Sequence, residues 1–520
     1  MPLEGRPQAP SSPPSPPVGG FLAVGRIWAF AFLVALALYA ATANRGPQWQ
    51  DSGWQQVRIL AGRVEHPLGL ALTHPLQFWL GRTALRVLPL EPALAITLVS
   101  SVAAAIAVAN TAGIVFLLTR RASAAMLAGS ALMLSHTFWQ HATHTESYAL
   151  VAALLTTEWI CWAAYARSPR AWLLVTVAAA NGLGLANHLL AALATPVDAI
   201  LLLSARRRGL LTPRTLGLAA AVWLLGSSPY TGLVAQTALD SGDWAGTLRS
   251  AFFGNFASEV LNLRLSGRMI ALIFGYLVYN FPSFLLPLAI FGLSRRTADP
   301  DAALRPFRWL LLIYTVFVAR YSITDQYTFF VPVYLLLAVF GGYGIAVLAE
   351  RHAATWRWLR PLVIITCVWQ PLVYAGAAAV LSHRSVFASL VGNKPYRNGY
   401  QALLLPWGVG KDYAERLNAD AARQAGDHGL VLVEDAMMIF SLEYARLLGR
   451  IPEGVEIRRF HQHPSEAVPF PDALTGSRPV ILVPRDRDRP PPPPDGTRWS
   501  RVNDLYILQR DEVEPNRPDP

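Results

Sequence analysis

Charged residues are scarce in this chain of 520 residues: they make up 15% of it, whereas hydrophobic residues make up 53%. Soluble domains carry about 25% charged residues, so this shortage excludes an ordinary soluble enzyme. The apolar excess also excludes disorder over most of the length. Together with a mean hydropathy of +0.33, these values indicate a protein that crosses a membrane several times.

Cysteine and lysine are also rare. The two cysteines, Cys161 and Cys367, lie in apolar runs and are too few for a disulfide framework. Lysine occurs only as Lys394 and Lys411, so the net charge of +11 comes from arginine. In a soluble protein this charge would suggest a nucleic-acid partner, but in a membrane protein arginine collects on one side of the bilayer. We therefore expect a membrane lipid bilayer and no nucleic acid as partner.

Long apolar runs predict about eleven transmembrane helices within a domain covering residues 26–381. A span needs about 20 apolar residues, and most of the runs approach that length. Residues 1–25 are rich in proline and serine and are predicted to form a disordered tail. The predicted spans are 27–43, 93–118, 122–137, 147–166, 171–187, 189–204, 211–230, 269–292, 309–321, 327–349 and 361–381.

Arginine clusters recur in alternate loops between these spans. Arg120 and Arg121 follow the second span, and the run 206–208 follows the sixth. The positive-inside rule then predicts a cytoplasmic N-terminus and, with an odd number of spans, an extracytoplasmic C-terminal region. The bias towards arginine and alanine is typical of a bacterial protein from a GC-rich genome, so the bacterial inner membrane is the expected location.

Two long loops lie on the predicted outer side. The first long loop covers residues 44–91 and contains two helical patterns, and the second long loop covers 231–268. In the first, Leu76, Trp79 and Leu80 recur at helical spacing. This pattern predicts an amphipathic helix on the outer membrane surface.

The tail of residues 382–520 is polar, in contrast to the apolar runs that precede it. It contains short β-like runs at Leu430–Val433, Val480–Val483 and 505–508, and a helical stretch at 412–424. These patterns predict a small α/β extracytoplasmic domain. Because it lies on the same side as the long loops, we expect it to modulate acceptor binding and not the chemistry.

Acids and histidines gather at the predicted outer ends of separate spans, and such ends converge around a cavity when helices bundle. Asp51 begins a helical pattern and is either a general base or an N-cap. Glu146 heads the fourth span and supplies a second carboxylate. Each histidine taken alone is equally consistent with a solvated loop residue.

These residues follow one another in an order that resembles the protein O-mannosyltransferase-like family of multispanning membrane proteins, which is similar to the GT-C glycosyltransferases. The resemblance covers about residues 27–350, and it rests on the order and side of the motifs together. The motifs are Asp51-Ser52-Gly53, His66-Pro67-Leu68-Gly69, Trp139, Glu146-Ser147-Tyr148-Ala149-Leu150, the run 182–188 ending in Asn187-His188, Pro229-Tyr230, Asp243-Trp244 and the run 325–334.

The resemblance implies a GT-C-like fold and transfer of a mannose-like sugar from a polyprenyl-phosphate carrier to a hydroxyl of a protein, glycan or lipid. Asp51 matches the acidic residue of the first outer loop that acts as the base in GT-C enzymes. Two departures stand out: Trp54 replaces a glutamate of the family, and Leu68 replaces a proline. The first departure removes a carboxylate, which Glu146 would have to supply.

The chemistry of lipid-linked sugar transfer fits the same residues. A leaving phosphate needs cations or hydrogen-bond donors, and no Walker A or Rossmann glycine pattern offers a cradle for a soluble nucleotide donor. A divalent cation between His141, His144 and Glu146 is a further option, but their spacing matches no standard metal signature, so no metal ligand is assigned. The substrate-binding candidates are Arg63, His66, His188, Asp243, Arg320 and Asp325.

Two other functions stay open. Glu158 and Asp198 fall inside predicted spans, and acids there are typical of a transporter or lipid flippase, although each could instead pair with a Ser, Thr or Tyr of a neighbouring helix. The absence of repeated spans in the sequence argues against transport. A non-catalytic scaffold is the third possibility, and Trp54 is its best support.

Overall fold

The computed structural model describes residues 19–295, 298–386, 388–460 and 478–510. Residues 1–18 of the predicted disordered tail lie outside this part of the chain. The first helix begins at Gly19, so the predicted boundary at residue 25 is wrong. The reason is that residues 21–24 are all apolar and extend the hydrophobic run towards the N-terminus.

Helices dominate the chain up to residue 404. The helices of the first half are α1 (Gly19–Thr42), α2 (Gln50–Ala61), α3 (Pro75–Val87), α4 (Pro92–Thr119), α5 (Ala122–Met133), α6 (His136–Thr143), α7 (Tyr148–Arg167), α8 (Ala171–Asn187), α9 (Thr195–Arg207), α10 (Pro213–Ser241), α11 (Trp244–Phe253) and α12 (Ala257–Val260), with 3₁₀ turns at Leu70–Leu72 and Leu189–Leu193. Those that follow are α13 (Gly267–Asn280), α14 (Leu285–Ser294), α15 (Ala298–Ala319), α16 (Gln326–Phe329), α17 (Val331–Arg351), α18 (Ala353–Val368), α19 (Gln370–His383), α20 (Ala388–Val391) and α21 (Gly399–Leu404).

Several helices can cross a membrane. Five described helices, α1, α4, α7, α10 and α17, are long and apolar enough, and the bent pairs α13–α14 and α18–α19 raise the number to seven. Each predicted span coincides with a helix or a bent pair. However, α5, α8, α9 and α15 do not meet the same length and hydropathy limits, so the count of eleven stays a prediction.

Proline explains the two bends. The pair α13–α14 bends by 110° and the pair α18–α19 by 55°. Pro282 lies in the first break and Pro371 directly after the second. Proline lacks the backbone N–H that would continue a helix and pushes the preceding residue towards extended geometry. The predicted continuous spans 269–292 and 361–381 are therefore each made of two helices.

The centre of the bundle is α17, which is buried along its whole length. It packs against α14 at very short range: a Cβ added to Gly344 would lie 2.0 Å from the backbone oxygen of Leu288. Small residues at such contacts let two backbones approach each other, which is how membrane helices gain packing energy.

The first long loop forms the two helices that its patterns predicted, α2 and α3. On α3, Phe78 and Gly81 face the protein, and a Cβ at Gly81 would meet the Ile59 side chain of α2 at 2.7 Å. Trp79 and Leu80 point outwards, with 56% and 37% of their surface exposed. This arrangement fits an amphipathic helix, although its place on a membrane surface stays a prediction.

The second long loop begins later than predicted, because α10 continues to Ser241. Residues 231–240 offer no helix-breaking proline, and only Gly242, with φ of +69°, ends the helix. The rest of the loop consists of α11, α12 and extended chain, and it returns towards the first long loop.

The C-terminal region contains a five-stranded sheet in the order β2-β1-β3-β5-β4. Strand β1 runs parallel to β2 and β3, and β5 runs antiparallel to β3 and β4. The three predicted β-like runs are strands, and the predicted helical stretch is helix α22. The elements are α22 (Tyr413–Ala425), β1 (Leu430–Val433), α23 (Ala436–Leu447), β2 (Glu456–Arg459), β3 (Val480–Val483), β4 (Thr497–Val502) and β5 (Leu505–Arg510).

This C-terminal region packs against the first long loop through α23. The indole N–H of Trp49 donates to Ser441 Oγ at 3.1 Å, and the Trp54 and Phe440 rings lie 4.7 Å apart. At the start of α4, Glu91 accepts a hydrogen bond from Tyr444 at 3.0 Å. The sheet is therefore held directly beside α2, the helix that carries Asp51.

Candidate functional site

A cavity of about 260 Å³ lies where α2, the 3₁₀ turn after α8 and the second long loop meet. The lining of the cavity combines polar and apolar side chains. The polar members are Asp51, Gln55, Arg58, His66, His74, Glu146 and His188, and the apolar members include Leu189, Leu193, Phe252, Phe253, Phe256, Phe317 and Phe329. Of the residues selected from the sequence, the structure thus brings together Asp51, Glu146, His66 and His188.

Asp51 lies in the first turn of α2, and its side chain is exposed to the cavity. The N-cap of α2 is Trp49, and no side chain caps this helix. The N-cap alternative for Asp51 is therefore wrong. Burial by the surrounding protein raises the pKa of the Asp51 carboxyl, which is expected where a carboxylate loses bulk water without a cation beside it.

Glu146 lies next to Asp51 and is buried. Its Oε1 accepts a hydrogen bond from Ser52 Oγ at 2.6 Å. Burial, and then the negative charges of Asp51 and Asp325, raise the pKa of Glu146 to about 8, although the Ser52 hydrogen bond opposes this rise. Glu146 therefore carries a proton at neutral pH.

Asp325 belongs to the same acidic cluster, although it lies beside the cavity and not in its wall. Burial, and then the charge of Asp51, raise the pKa of Asp325 to about 6. Three carboxyl groups from distant parts of the sequence thus act on one another. Carboxyl groups at close range cannot all be ionised, so the cluster divides into proton-bearing and proton-accepting members.

The histidines of the cavity are neutral. Burial is the main cause that lowers the pKa of His66 to about 3 and of His74 to about 4. His66 Nδ1 accepts a hydrogen bond from the backbone of Leu68 at 3.1 Å, and His188 Nδ1 accepts one from Leu190 at 3.1 Å. In a neutral ring whose Nδ1 accepts, Nε2 carries the proton. His66 and His188 are therefore neutral donors and not cations.

His74 has the opposite tautomer. Its Nδ1 lies 2.6 Å from the backbone oxygen of Asn187, so Nδ1 donates and Nε2 is free to accept. The His74 and His188 rings stack at 5.1 Å. This contact joins the first long loop to the end of α8. His74 was not among the candidate site residues chosen from the sequence. Its position directly before Pro75, the first residue of α3, is a sequence feature that marks it.

Arg58 is a site residue that sequence reasoning missed. It follows Asp51 by seven residues, which places both on one face of α2. Its guanidinium donates to the backbone oxygens of Val64, Leu72 and Thr73, the last at 2.7 Å. Burial lowers the pKa of Arg58 to about 10, so it stays charged at neutral pH. Its Nε has no hydrogen-bond partner among the described residues.

The His66–Gly69 motif holds the two long loops together. Gly69 has a φ of +121°, and a Cβ there would lie 2.6 Å from Cα of Gly254. The backbone oxygen of Leu68 accepts from Asn255 at 3.1 Å, and Leu70 N–H donates to Ser250 Oγ at 3.0 Å. Glycine is needed here because of both its φ and the close backbone approach. The motif thus closes one side of the cavity.

Besides Asp325, three of the substrate-binding candidates lie outside the cavity wall. Arg63 is exposed and lies near Glu443 of α23. Asp243 is exposed and caps α11 by accepting from Gly246 N–H at 2.8 Å. Arg320 donates to the backbone oxygens of Val260 and Asn262. These three side chains serve the structure of the loops, which the residue type alone could not reveal.

Trp54, the departure from the family pattern, packs between the cavity and α23. Its ring meets His66 edge to face at 5.7 Å and Phe440 at 4.7 Å. Glu146 and Asp325 are carboxyl groups close enough to Asp51 for its charge to raise their pKa values. Within the described residues, no group of three or more His, Cys, Asp or Glu side chains is arranged to hold a metal ion.

The intramembrane acids lie in a separate buried network. Asn181 Nδ2 donates to Glu158 at 3.1 Å and to Asp198 at 3.3 Å, and the Trp162 indole donates to Asp198 at 2.7 Å. Their partners are therefore Asn and Trp, and not the Ser, Thr or Tyr expected from the sequence. Neither acid lines the cavity.

Comparison with known proteins agrees with the motif order. Residues 58–210 match the family model described as "Protein O-mannosyl-transferase TMEM260 N-terminal domain". This segment runs from α2 to the end of α9 and contains Arg58, His66, Glu146 and His188. No curated protein sequence matches the chain significantly.

Two crystal structures of ArnT from Cupriavidus metallidurans share the fold over nearly the whole chain. The form bound to undecaprenyl phosphate has a TM-score of 0.56 at 14% sequence identity and covers 95% of this chain and 98% of ArnT. The apo form has a TM-score of 0.57 at 16% identity and covers 94% and 98%. The likeness establishes a membrane fold of the ArnT type. The family match over residues 58–210 supports the resemblance to the protein O-mannosyltransferase-like family.

Proposed function

We propose that this chain is a membrane glycosyltransferase of the GT-C type that moves a mannose-like sugar from a polyprenyl-phosphate carrier to an acceptor hydroxyl at the outer membrane face. The observation that carries this proposal is the cavity lining, in which carboxyl groups and neutral histidine donors occur together with phenylalanine and leucine side chains. A lipid-linked sugar likewise combines an apolar tail with a polar headgroup. The bound undecaprenyl phosphate of the ArnT structure belongs to the same chemical class as this carrier.

The apolar lining residues suit the first isoprene units of the carrier. Phe252 and Phe253 reach the cavity from α11, and Phe252 is 60% exposed. Neighbouring apolar side chains of the second long loop are also uncovered, with Leu261 at 58% and Leu263 at 85% exposure. Large exposed apolar patches mark membrane or ligand contacts. In this proposal the tail leaves the cavity across this loop into the bilayer.

The polar lining residues supply donors to the phosphate. Nε2–H of His66 and Nε2–H of His188 are the neutral donors, and the unpartnered Nε–H of Arg58 is a charged one. Hydrogen bonds from charged donors to phosphate are about twice as strong as neutral ones. Donors fixed before the reaction stabilise the charge that develops on the leaving group without reorganisation.

Asp51 acts as the general base. Among the three carboxyls, Glu146 keeps its proton at neutral pH, whereas Asp51 is exposed to the cavity and has no hydrogen-bonded side-chain partner among the described residues. The acceptor O–H gives its proton to Asp51 as its oxygen bonds to the anomeric carbon. The bond from that carbon to the phosphate oxygen breaks, and polyprenyl phosphate leaves with the electron pair. A single displacement of this kind inverts the anomeric centre.

The test is transfer by the full-length protein in proteoliposomes containing polyprenyl-phosphate mannose and a membrane extract as acceptor. We expect mannose to be incorporated by the wild type, and Asp51→Asn to lose at least about 10²-fold of the rate, the usual contribution of a general base. Asp243→Asn is the matched control, because this aspartate lies outside the cavity and an asparagine preserves its cap. Undiminished transfer by a folded Asp51→Asn variant would overturn the assignment.

The same vesicles separate catalysis from transport. Lipid-linked sugar that crosses the bilayer without forming a glycosidic product would favour the flippase alternative. If the wild-type protein gives neither glycosidic product nor flux, the result would favour a scaffold. The position of Glu158 and Asp198 away from the cavity supports the enzyme over the transporter.

A further inference from the structure

A second and larger cavity, of about 710 Å³, lies between the end of α19, helix α21 and the start of α22. It is separate from the site described above and shares no lining residue with it. Its lining combines apolar groups with four cations, three tyrosines and the carboxylates of Asp412 and Asp504, each of which is paired with an arginine. The residues used below are Ser382, Tyr396, Arg397, Tyr400, Lys411 and Tyr413.

Two half-buried cations of this cavity lack an acidic partner among the described residues. The ammonium group of Lys411 donates only to the backbone oxygens of Ala402 and Leu405, at 3.2 and 2.8 Å. The guanidinium of Arg397 donates to Val391 O at 3.4 Å, and its Nε has no partner in the described ranges. Neither forms an ion pair with a described carboxylate. Burial and the neighbouring Arg397 charge lower the pKa of Lys411 to about 7.

The other lysine of the chain, Lys394, is a paired cation in the same region. Its ammonium group forms an ion pair with the carboxylate of Asp435. Buried charges are normally paired, because an uncompensated one costs several kcal/mol. The unmatched charges of Lys411 and Arg397, which face a cavity instead of a carboxylate, are the arrangement that an anionic ligand would complete.

Tyrosine rings supply the remaining surface. The hydroxyls of Tyr396 and Tyr400 are already used, by Asp420 and by Val386 O respectively. Their rings therefore offer apolar faces of fixed orientation. Rigid aromatic faces beside polar groups suit a sugar ring, whose faces are apolar and whose edges carry hydroxyls.

We propose that this second cavity binds an anionic saccharide, with its carboxylate or phosphate on Lys411 and Arg397 and its rings on the tyrosines. If the proposed glycosyl transfer holds, this saccharide is part of the acceptor, held away from the hydroxyl that reacts. Trp49 lies between the two sites: Arg397 lies over its ring at 5.7 Å and Tyr413 packs on it at 4.6 Å. Two residues further on, Asp51 faces the first cavity.

Isothermal titration calorimetry of the full-length protein in detergent tests this proposal. The probes are trigalacturonate, mannose 6-phosphate, neutral maltotriose and inorganic phosphate. We expect binding of at least one anionic sugar, with maltotriose and inorganic phosphate at least tenfold weaker. Trigalacturonate carries carboxylates and mannose 6-phosphate carries a phosphate, so comparing the two shows which anionic group the cavity prefers. Equal binding of maltotriose, binding of inorganic phosphate alone, or no binding of either anionic sugar would overturn the proposal.

Substitutions of cavity residues test whether the anionic sugar binds in this cavity. Lys411→Met and Arg397→Gln should each weaken binding of the anionic sugar at least tenfold, and Ser382→Asp should do the same by placing a carboxylate beside the cations. The matched control is Arg423→Gln, which removes an exposed charge of α22 outside the cavity. Because Lys411→Met also removes the donor to the backbone oxygens of Ala402 and Leu405, its melting temperature is measured alongside to show that the variant is folded, and Ser382→Asp, which keeps both contacts, carries the test if it is not. Unchanged affinity in all three cavity variants would refute the site.

This test is independent of the catalytic one. Asp51→Asn should bind the anionic sugar like the wild type while losing transfer. An Asp51→Asn variant without transfer but with intact binding supports both proposals. Wild-type transfer by Lys411→Met, at every acceptor concentration, would contradict only the acceptor role of the second cavity.

Discussion

The hydroxyl of Ser52 donates a hydrogen bond to Glu146 Oε1 over 2.6 Å, across 94 positions of sequence. This contact joins the first turn of α2 to the residue that precedes α7 by two positions. It holds the carboxyl group of Glu146, whose pKa is raised to about 8, beside Asp51, whose pKa is also raised by burial. The protonation of this pair has several measurable consequences.

The stability of the protein should fall as the pH rises from about 4.5 to 8 because of Glu146. Its pKa is about 8 in the fold, raised from an ordinary value of 4.5. Between these values the folded protein holds a proton that the unfolded chain has released, so rising pH favours unfolding. The Glu146→Gln variant should lose this contribution, which melting temperatures from pH 5 to 8 in detergent measure. Equal pH slopes in the two proteins would contradict it.

Sugar transfer should decline at low pH, because protonated Asp51 cannot accept the acceptor proton. Burial raises the pKa of Asp51, and the charge of Asp51 helps to raise the pKa of Asp325 to about 6. Asp325→Asn removes a neighbouring negative charge, so the acidic limb of the kcat/KM profile should move to lower pH. A limb that does not move would show that Asp325 is not coupled to the base.

Removing one phosphate donor should slow transfer without unfolding the protein. We expect His66→Ala to lower kcat by about 10²-fold, the cost of one preorganised donor to a developing oxyanion. His66→Gln keeps an N–H group and should lose less. Initial rates with a fixed lipid-linked donor measure the difference. If both variants keep the wild-type kcat, His66 does not contact the leaving group.

We expect Arg58 to stabilise the folded conformation of the first long loop as well as to bind the phosphate. Arg58→Lys cannot keep three guanidinium contacts to Val64, Leu72 and Thr73, and buried carbonyls without partners cost about 1–3 kcal/mol each. We expect a lower melting temperature and faster hydrogen–deuterium exchange across residues 64–74. Arg63→Lys is the control, since Arg63 is exposed. Equal exchange in both variants would count against this role.

The orientation of the protein in the membrane can be measured by labelling single introduced cysteines, because the natural Cys161 and Cys367 are buried. Arg423 on α22 and Arg207 at the end of α9 are both exposed. With an outer C-terminal region, Arg423→Cys should react with a membrane-impermeant maleimide in intact spheroplasts. Arg207→Cys should react only after permeabilisation. The reverse pattern would invert the predicted topology.

Local patterns were sufficient to predict much of the fold. The positions of the helices in the bundle, the two helices of the first long loop and three strands of the sheet all follow from apolar runs and periodicities within 4 to 28 residues. The exceptions have local causes as well: Pro282 and Pro371 bend two predicted spans, and α10 continues to Ser241 because nothing in the sequence interrupts it.

The candidate site was only partly predictable. Asp51, Glu146, His66 and His188 could be selected because they stand at the ends of spans in a recognisable order. Arg63 and Asp243 looked equivalent in the sequence, but one is exposed near α23 and the other caps α11. Arg58 had no motif to mark it, because its role depends on three carbonyls that only the folded loop brings together.

The sequence by itself determined that the chain is a membrane protein and where its polar ends gather, because hydropathy and charge act on each segment locally. Only the tertiary structure decided which of those polar groups meet and which of them hold protons. The pKa of Glu146 depends on burial and on Asp51 and Asp325, which are distant in sequence. Likewise, the unmatched charges of Lys411 and Arg397 arise only when the C-terminal region packs beside α2. Burial and proximity in space set these energies, and neither is a property of any one segment.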